Sequence, residues 1–293
     1  MNSAGFVETR HLVDTDWVAA HLDDPSVRVF DCTLLSIASA ERPARTEPVQ
    51  AHWAVGHVPG AGWLDLKHEL SDPHSRWPLQ HTIPRLRQFS DVMGRKGVGR
   101  DTHVVLYSAG HPMAAARAWW MLHAYGFDDA SVLDGGWERW VSEDRPVSCA
   151  PCEYPATRFE GHARPGAVVS RIDVRAAISD PGVLIVNALS RPQHAGEGVH
   201  FGRAGRIPGS RCVPAQDLVN PRDGRFRSPA ELRRLFRAAG LRDGQRVITY
   251  CSSGIAAACD AFALVMLGHE DVSLYDGSLA EWSNDPTLPM ETG

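Results

Sequence analysis

The 293-residue chain is 43% hydrophobic and 22% charged, an ordinary composition for a globular protein and long enough for two cores rather than one. Its net charge of -5 gives no basic stripe for nucleic acid, and no apolar stretch reaches the roughly 20 residues of a membrane span, the longest being broken by Asp260. The opening MNSAGFVETRHLVDTDW lacks a signal-peptide pattern, and six irregularly spaced cysteines (32, 149, 152, 212, 251, 259) suit a reducing cytoplasm better than a disulfide scaffold.

Taken in chain order, RVFD (28–31) predicts a short apolar strand ending in an aspartate. GHVPGA (56–61), QHTIP (80–84), GVGRDTHVVLYS (97–108) and SVLDGGWERW (131–140) follow, the third carrying a second strand that ends at Ser108. SCAPCEYPATRFEGHARPG (148–166) has three prolines and no periodicity, which suits a linker laid over the surface. Its C-x-x-C, Cys149 and Cys152, lacks the second ligand pair that zinc needs and reads as a loop feature. SRID (170–173) opens a helix, and LIVN (184–187) is a strand ending in Asn187. GRIPGS (205–210) precedes SPAELRRLFRAAG (228–240), a helix with Ser228 as N-cap, Glu231 closing a capping box, Pro229 in the first turn and Gly240 past the end. RVITY (246–250) reads as a buried strand, and the run from Ala256 to Leu267 as a buried helix closed by Gly268. SLYDGSLAEW (273–282) comes last.

Four of these blocks occur twice in the same order. RVFD matches LIVN, GHVPGA matches GRIPGS, GVGRDTHVVLYS matches GLRDGQRVITYC, and SVLDGGWERW matches SLYDGSLAEW. The chain therefore reads as a tandem duplication, 1–147 and 167–293 joined by 148–166. Each half alternates strands and helices, the pattern of an α/β fold with a parallel sheet flanked by helices. Ligands collect at the carboxyl ends of such strands. Cys251 lies at one of them, and its counterpart in the first half is Ser108.

A thiol at a strand-to-helix turn faces the free N–H groups of the helix start, which favour a thiolate. The competing reading is a small hydrophobe filling the turn. The asymmetry between the halves and the following Ser252-Ser253-Gly254 favour the nucleophile.

At this point the sequence resembles the tandem-domain rhodanese superfamily of sulfurtransferases, on HVPGA and RIPGS, LDGG and YDGS, EWSNDPTLP and CSSGIAA, over about residues 12–290. The resemblance implies two rhodanese-like α/β domains, the first catalytically silent and the second supplying Cys251. It implies a persulfide on that cysteine, held by successive N–H groups of Ser252, Ser253, Gly254, Ile255 and Ala256, with Ile255 pointing inward as an anchor. The sulfur passes from a small anionic donor to a thiol or cyanide acceptor in ping-pong fashion, with no cofactor and no metal. Thiosulfate-preferring relatives place cations after the cysteine; the uncharged Ser252-Ser253 resembles the 3-mercaptopyruvate branch instead. There the resemblance assigns Ser253, Asp65 and His81 to a proton relay.

The pattern breaks at VNALSRPQHAG (186–196). Asn187, Leu189 and Gln193 stand where the family has an aspartate and two arginines that bind the donor's anionic group. Arg191, Arg203 and Arg206 lie nearby, each a substitute clamp or a solvated surface charge. Three other activities compete: a thiosulfate sulfurtransferase, a non-catalytic sulfur carrier, and a cysteine-loop phosphatase. The last needs an arginine six positions after the cysteine, where this chain has Ala257.

Overall fold

A computed structural model describes residues 5–37, 45–76, 79–198 and 201–293. The strands of the first half are β1 (Leu12–Val13), β2 (Val27–Asp31), β3 (Leu34–Ile37), β4 (Arg45–Pro48), β5 (Gly62–Trp63), β6 (His103–Tyr107) and β7 (Ala130–Leu133). Five of them form a parallel sheet in the order β1-β7-β6-β2-β5, while β3 and β4 pair antiparallel on their own. The second half contains β8 (Val168–Val169), β9 (Val183–Asn187), β10 (Arg211–Cys212), β11 (Arg246–Tyr250) and β12 (Val272–Tyr275). These repeat the arrangement in the order β10-β9-β11-β12-β8. The register repeats too: Asp31 pairs with Tyr107 in one sheet, and Asn187 with Tyr250 in the other. The duplication expected from the sequence is a duplication of structure.

The helices are α1 (Thr15–Ala20), α2 (Gln50–Val55), α3 (Leu86–Arg95), α4 (Met113–Ala124) and α5 (Gly136–Ser142) in the first half. The second half has α6 (Arg171–Ala177), α7 (Arg191–Ala195), α8 (Pro229–Ala238), α9 (Ile255–Met266) and α10 (Ser278–Trp282). Capping boxes open α6 at Ser170/Asp173 and α8 at Ser228/Glu231, the two starts that the sequence marks.

Strand alternation distributes side chains among three cores. Val104 and Leu106 of β6 and Val247 of β11 face one large core shared by both halves. Val105 and Tyr107 face an outer core of the first half, while Ile248 and Tyr250 face an outer core of the second. Both faces of each sheet are covered, so the central strands read as continuous apolar runs. The shared core is organised by α4 against α9, whose alanine-rich faces let them approach closely; Trp119 and Phe262 meet edge to face at 4.8 Å. A fully buried large side chain contributes about 1.5–3 kcal/mol. Packing of this core, rather than the linker, joins the halves.

Residues 151–164 have no regular secondary structure and lie along the first half. The Tyr154 hydroxyl donates to the Gly60 carbonyl (2.6 Å), Thr157 N–H to the Gly94 carbonyl (2.8 Å), and Arg164 pairs with Asp128 (2.6 Å). No helix among the described residues is long and apolar enough to cross a membrane.

Candidate active site

Cys251 directly follows β11 at the carboxyl edge of the second sheet. Its backbone is clamped from both sides. The Cys251 N–H donates to Ser278 Oγ (3.1 Å), and the carbonyls of Cys251 and Ser252 accept from Leu279 N–H (3.0 Å) and Ala280 N–H (2.9 Å). The loop then turns at Gly254, with φ +85°. A Cβ there would sit 2.9 Å from the Arg117 guanidinium and 3.2 Å from the Asp276 carbonyl oxygen, so only glycine fits. That turn brings the Gly254 N–H to 3.1 Å from Cys251 Sγ, the donor contact expected of an anion-holding loop. Cys251 is wholly buried; Ser252 and Ser253 form the partly exposed rim. Ile255 is not the inward anchor expected of it: it is half-exposed, and Ala257 and Ala258 occupy the core instead. Ala256 packs against that core from its edge.

Burial acts on four of the other thiols. It raises the pKa of Cys32 and of Cys259 well above the ordinary range, pushes that of Cys212 up to about 11, and raises that of Cys152. These groups are held as thiols, unsuited to nucleophilic attack.

Below the cysteine loop lies a residue that sequence reasoning missed. Arg117, from α4 of the first half, has a side chain only 1% exposed and reaches across the interface. It donates to Asp276 Oδ1 (2.6 Å), to the Gly254 carbonyl (3.5 Å) and to the His81 carbonyl. One guanidinium thus holds the cysteine loop, the aspartate of the YDGS block and the segment that carries His81. Asp276 Oδ2 also accepts from Ile83 N–H (2.8 Å), tying down the residues after His81. An arginine inside an Ala/Trp-rich helix was the available signal, together with an Asp-Gly block whose aspartate needed a partner.

The arrangement has a twin. Asp134, which matches Asp276 in the first half, accepts from Phe226 N–H (2.8 Å) and Arg225 Nε (3.0 Å), both from the second half. Each half presents an aspartate that the other half binds with one N–H and one arginine. A second helix residue matches Arg117 in the repeat: Asp260, fully buried in α9, has no hydrogen-bond partner on either carboxyl oxygen among the described residues, and burial raises its pKa well above the carboxylate range.

His81 is buried and lies at the interface through its carbonyl. Asp65 turns its carboxylate to its own loop, accepting from Lys67 N–H (2.9 Å), His68 N–H (2.8 Å) and His68 Nδ1 (2.9 Å). The structure therefore brings Cys251, Gly254 and the His81 segment together on Arg117, while the Asp65 carboxylate bonds to Lys67 and His68 of its own loop. Asn187 accepts from Leu189 N–H (3.0 Å) and lies 3.1 Å from His194 Nδ1 through its amide nitrogen, the turn that Asp31 makes with Thr33 in the first half. Leu189 packs against the core, and Gln193 accepts from Ser190 Oγ (2.9 Å). Arg191 is exposed and paired with Asp217 (2.7 Å). Arg206 is not a solvated charge: it is buried, pairs with Glu291 and donates to the carbonyls of Gly293 (2.6 Å) and His194 (3.3 Å), fastening the C-terminal segment. Arg203 likewise donates to the carbonyls of Ser283, Asp285 and Leu288.

Comparison with known proteins agrees with this geometry. The rhodanese-like domain family matches residues 14–143 and 170–285. A 3-mercaptopyruvate sulfurtransferase of Escherichia coli is 34% identical over 291 residues, 97% of this chain and 99% of that one. The sulfur carrier protein TtuD of Thermus thermophilus is 32% identical over 302 residues, covering 99% of both. The crystal structure of the 3-mercaptopyruvate sulfotransferase SseA from Escherichia coli superposes with a TM-score of 0.81 at 34% identity, over 92% of this chain and 99% of that one.

Proposed function

The chain belongs to the rhodanese-like family, and on that premise we propose that it is a cytoplasmic sulfurtransferase that moves a sulfane sulfur from 3-mercaptopyruvate, in preference to thiosulfate, to a thiol or cyanide through a Cys251 persulfide. The observation that carries this reading is the Gly254 N–H on Cys251 Sγ at 3.1 Å, in a loop whose side chains carry no cation. Backbone donors of this kind suit an anion that recurs at every turnover. Residues 1–147 and 167–293 act as the two working units, with 148–166 as their linker.

In the first half-reaction the Cys251 thiolate attacks the donor sulfur. The Sγ–S bond forms, the carbon–sulfur bond breaks, and the pair of electrons leaves as the enolate of pyruvate. The donor's thiol proton, relayed by Ser253 and His81, ends on the enolate carbon and leaves Cys–S–S⁻. Arg117 contributes by holding His81 beside the loop, and Asp65 by holding the 65–70 turn. An acceptor thiolate or cyanide then takes the outer sulfur and restores the Cys251 thiolate. Arg191, exposed on the same sheet edge, is assigned to the donor carboxylate. Arg206, committed to Glu291 and the C-terminal carbonyls, serves that region structurally.

Mass spectrometry tests the assignment. Incubation with mercaptopyruvate should add one sulfur atom at Cys251 and release pyruvate, and Cys251→Ser should abolish both. Modification of Cys212 or Cys259 with Cys251 left bare would overturn it. A second reading, a carrier without turnover, is favoured by the lack of a guanidinium at Leu189 and Gln193. Steady-state pyruvate release with cyanide as acceptor decides between them.

A further inference from the structure

Ser278 stands in a backbone conformation that a residue with a β-carbon rarely adopts. Its φ is +50°, and among the described residues only Asp144 shares a positive φ without being glycine. Asp144 is exposed, whereas Ser278 is completely buried. In the first half the matching residue is Gly136, with φ +55°. A Cβ on Gly136 would lie 2.4 Å from the Ser108 carbonyl oxygen. The same turn therefore carries glycine in the half without a nucleophile and a strained serine in the half with one. Strain of this kind persists where the surroundings enforce it, and it gathers at functional sites.

The hydroxyl shows what the serine does. Ser278 Oγ accepts the Cys251 N–H at 3.1 Å and donates to the Tyr275 carbonyl at 2.9 Å. The next residue, Leu279, binds the Cys251 carbonyl, so the nucleophile's backbone is gripped at both its N–H and its C=O. We propose that Ser278 is a positioning residue for the nucleophile. It fixes the peptide plane before Cys251, hence the direction of the Cα–Cβ bond, and so keeps Sγ beneath the Gly254 N–H while the outer sulfur is added and removed. Substrate does not touch it; it acts through Cys251. The inference rests on the reading of Cys251 as the sulfur carrier.

Two variants separate positioning from packing. Ser278→Gly removes the hydroxyl and relieves the strain, reproducing Gly136; Ser278→Ala removes the hydroxyl and keeps the strain. Ser278→Gly should melt at the same temperature as Ser278→Ala or above it. Both should lose about tenfold in kcat, the worth of one buried hydrogen bond, with KM for mercaptopyruvate changed by less than about twofold. The second-order rate of Cys251 alkylation by iodoacetamide should fall in parallel in both. Wild-type kcat and alkylation rate in Ser278→Gly would overturn the inference, as would activity that follows melting temperature across the pair. If Ser278→Ala does not fold, Ser278→Gly alone decides. Alkylation needs no sulfur donor, so its outcome is separate from the mass-spectrometric test of the persulfide.

Discussion

Arg117→Met removes the guanidinium that joins the halves beneath the cysteine loop and leaves a long, unbranched side chain in its channel. Asp276 would then be a charge with a side chain only 13% exposed and no cation beside it. Breaking one side of a buried pair costs about 3–5 kcal/mol. Asp276 keeps the Ile83 N–H at 2.8 Å and some water, which places the loss at the lower end, about 3 kcal/mol. In a chain of this size that corresponds to a fall of roughly 6–12 °C in Tm. The carbonyls of Gly254 and His81 lose their shared donor as well, so kcat should fall even at temperatures where the variant is fully folded. Adding Asp276→Asn removes the stranded charge and should recover about 1–2 kcal/mol of the stability but none of the kcat. Urea unfolding followed by tryptophan fluorescence and far-ultraviolet circular dichroism measures both variants and Asp276→Asn alone. A single-variant cost below about 1 kcal/mol, or additivity of the two substitutions within about 0.5 kcal/mol, would refute the claim that this pair is a coupled latch.

The donor site gives a second expectation: Leu189→Arg with Asn187→Asp should lower KM for mercaptopyruvate by about ten- to a hundredfold with kcat little changed, and a wild-type KM already in the low micromolar range would contradict it. His81→Ala should cut turnover with mercaptopyruvate by about 10²–10⁴, read by pyruvate release; unchanged kinetics would reduce His81 to a structural role. Asp260 supplies a pH test. Its pKa is raised in the folded state, so above the ordinary carboxyl range the unfolded chain releases a proton that the folded chain keeps, and stability falls as pH rises. The advantage of Asp260→Asn over wild type should therefore grow as pH rises above about 4, by up to about 1.4 kcal/mol per unit. A pH-independent difference in urea midpoints would show that Asp260 does not titrate in this way.

The parts of the fold set by local chemistry were legible. The β-branched RVITY run, the alanine-rich run after Cys251 and the two capping boxes each specify an element within a few residues, and all four appear where expected. The repeat carried the architecture, because matching blocks in one order imply matching sheets. What escaped depends on how distant segments meet. Arg117 reaches the site only because α4 packs against α9, an angle that neither helix encodes alone. Arg206 looked like a surface charge because its partners, Glu291 and the final carbonyl, return to it from the chain's end. Ile255 was expected inside because it is apolar, yet in the first turn of α9 its neighbours Ala257 and Ala258 face the core. Ser278 stands within a recognisable block, but its backbone angle is a property of the folded turn.

The twin aspartates carry a consequence for how such a chain can come apart or arise. Asp134 bound by the second half, and Asp276 bound by the first, are the reciprocal contacts of an isologous dimer, in which the same patch on each subunit receives the other. Joining the two halves in one chain makes that encounter intramolecular instead of concentration-dependent. The two copies are not identical: Ser108 stands where the other half has Cys251, while the first half lends its neighbour a guanidinium and the anchored segment around His81. A half expressed alone would be a subunit without its mate, and the two halves supplied as separate polypeptides should find each other through the same pair of latches.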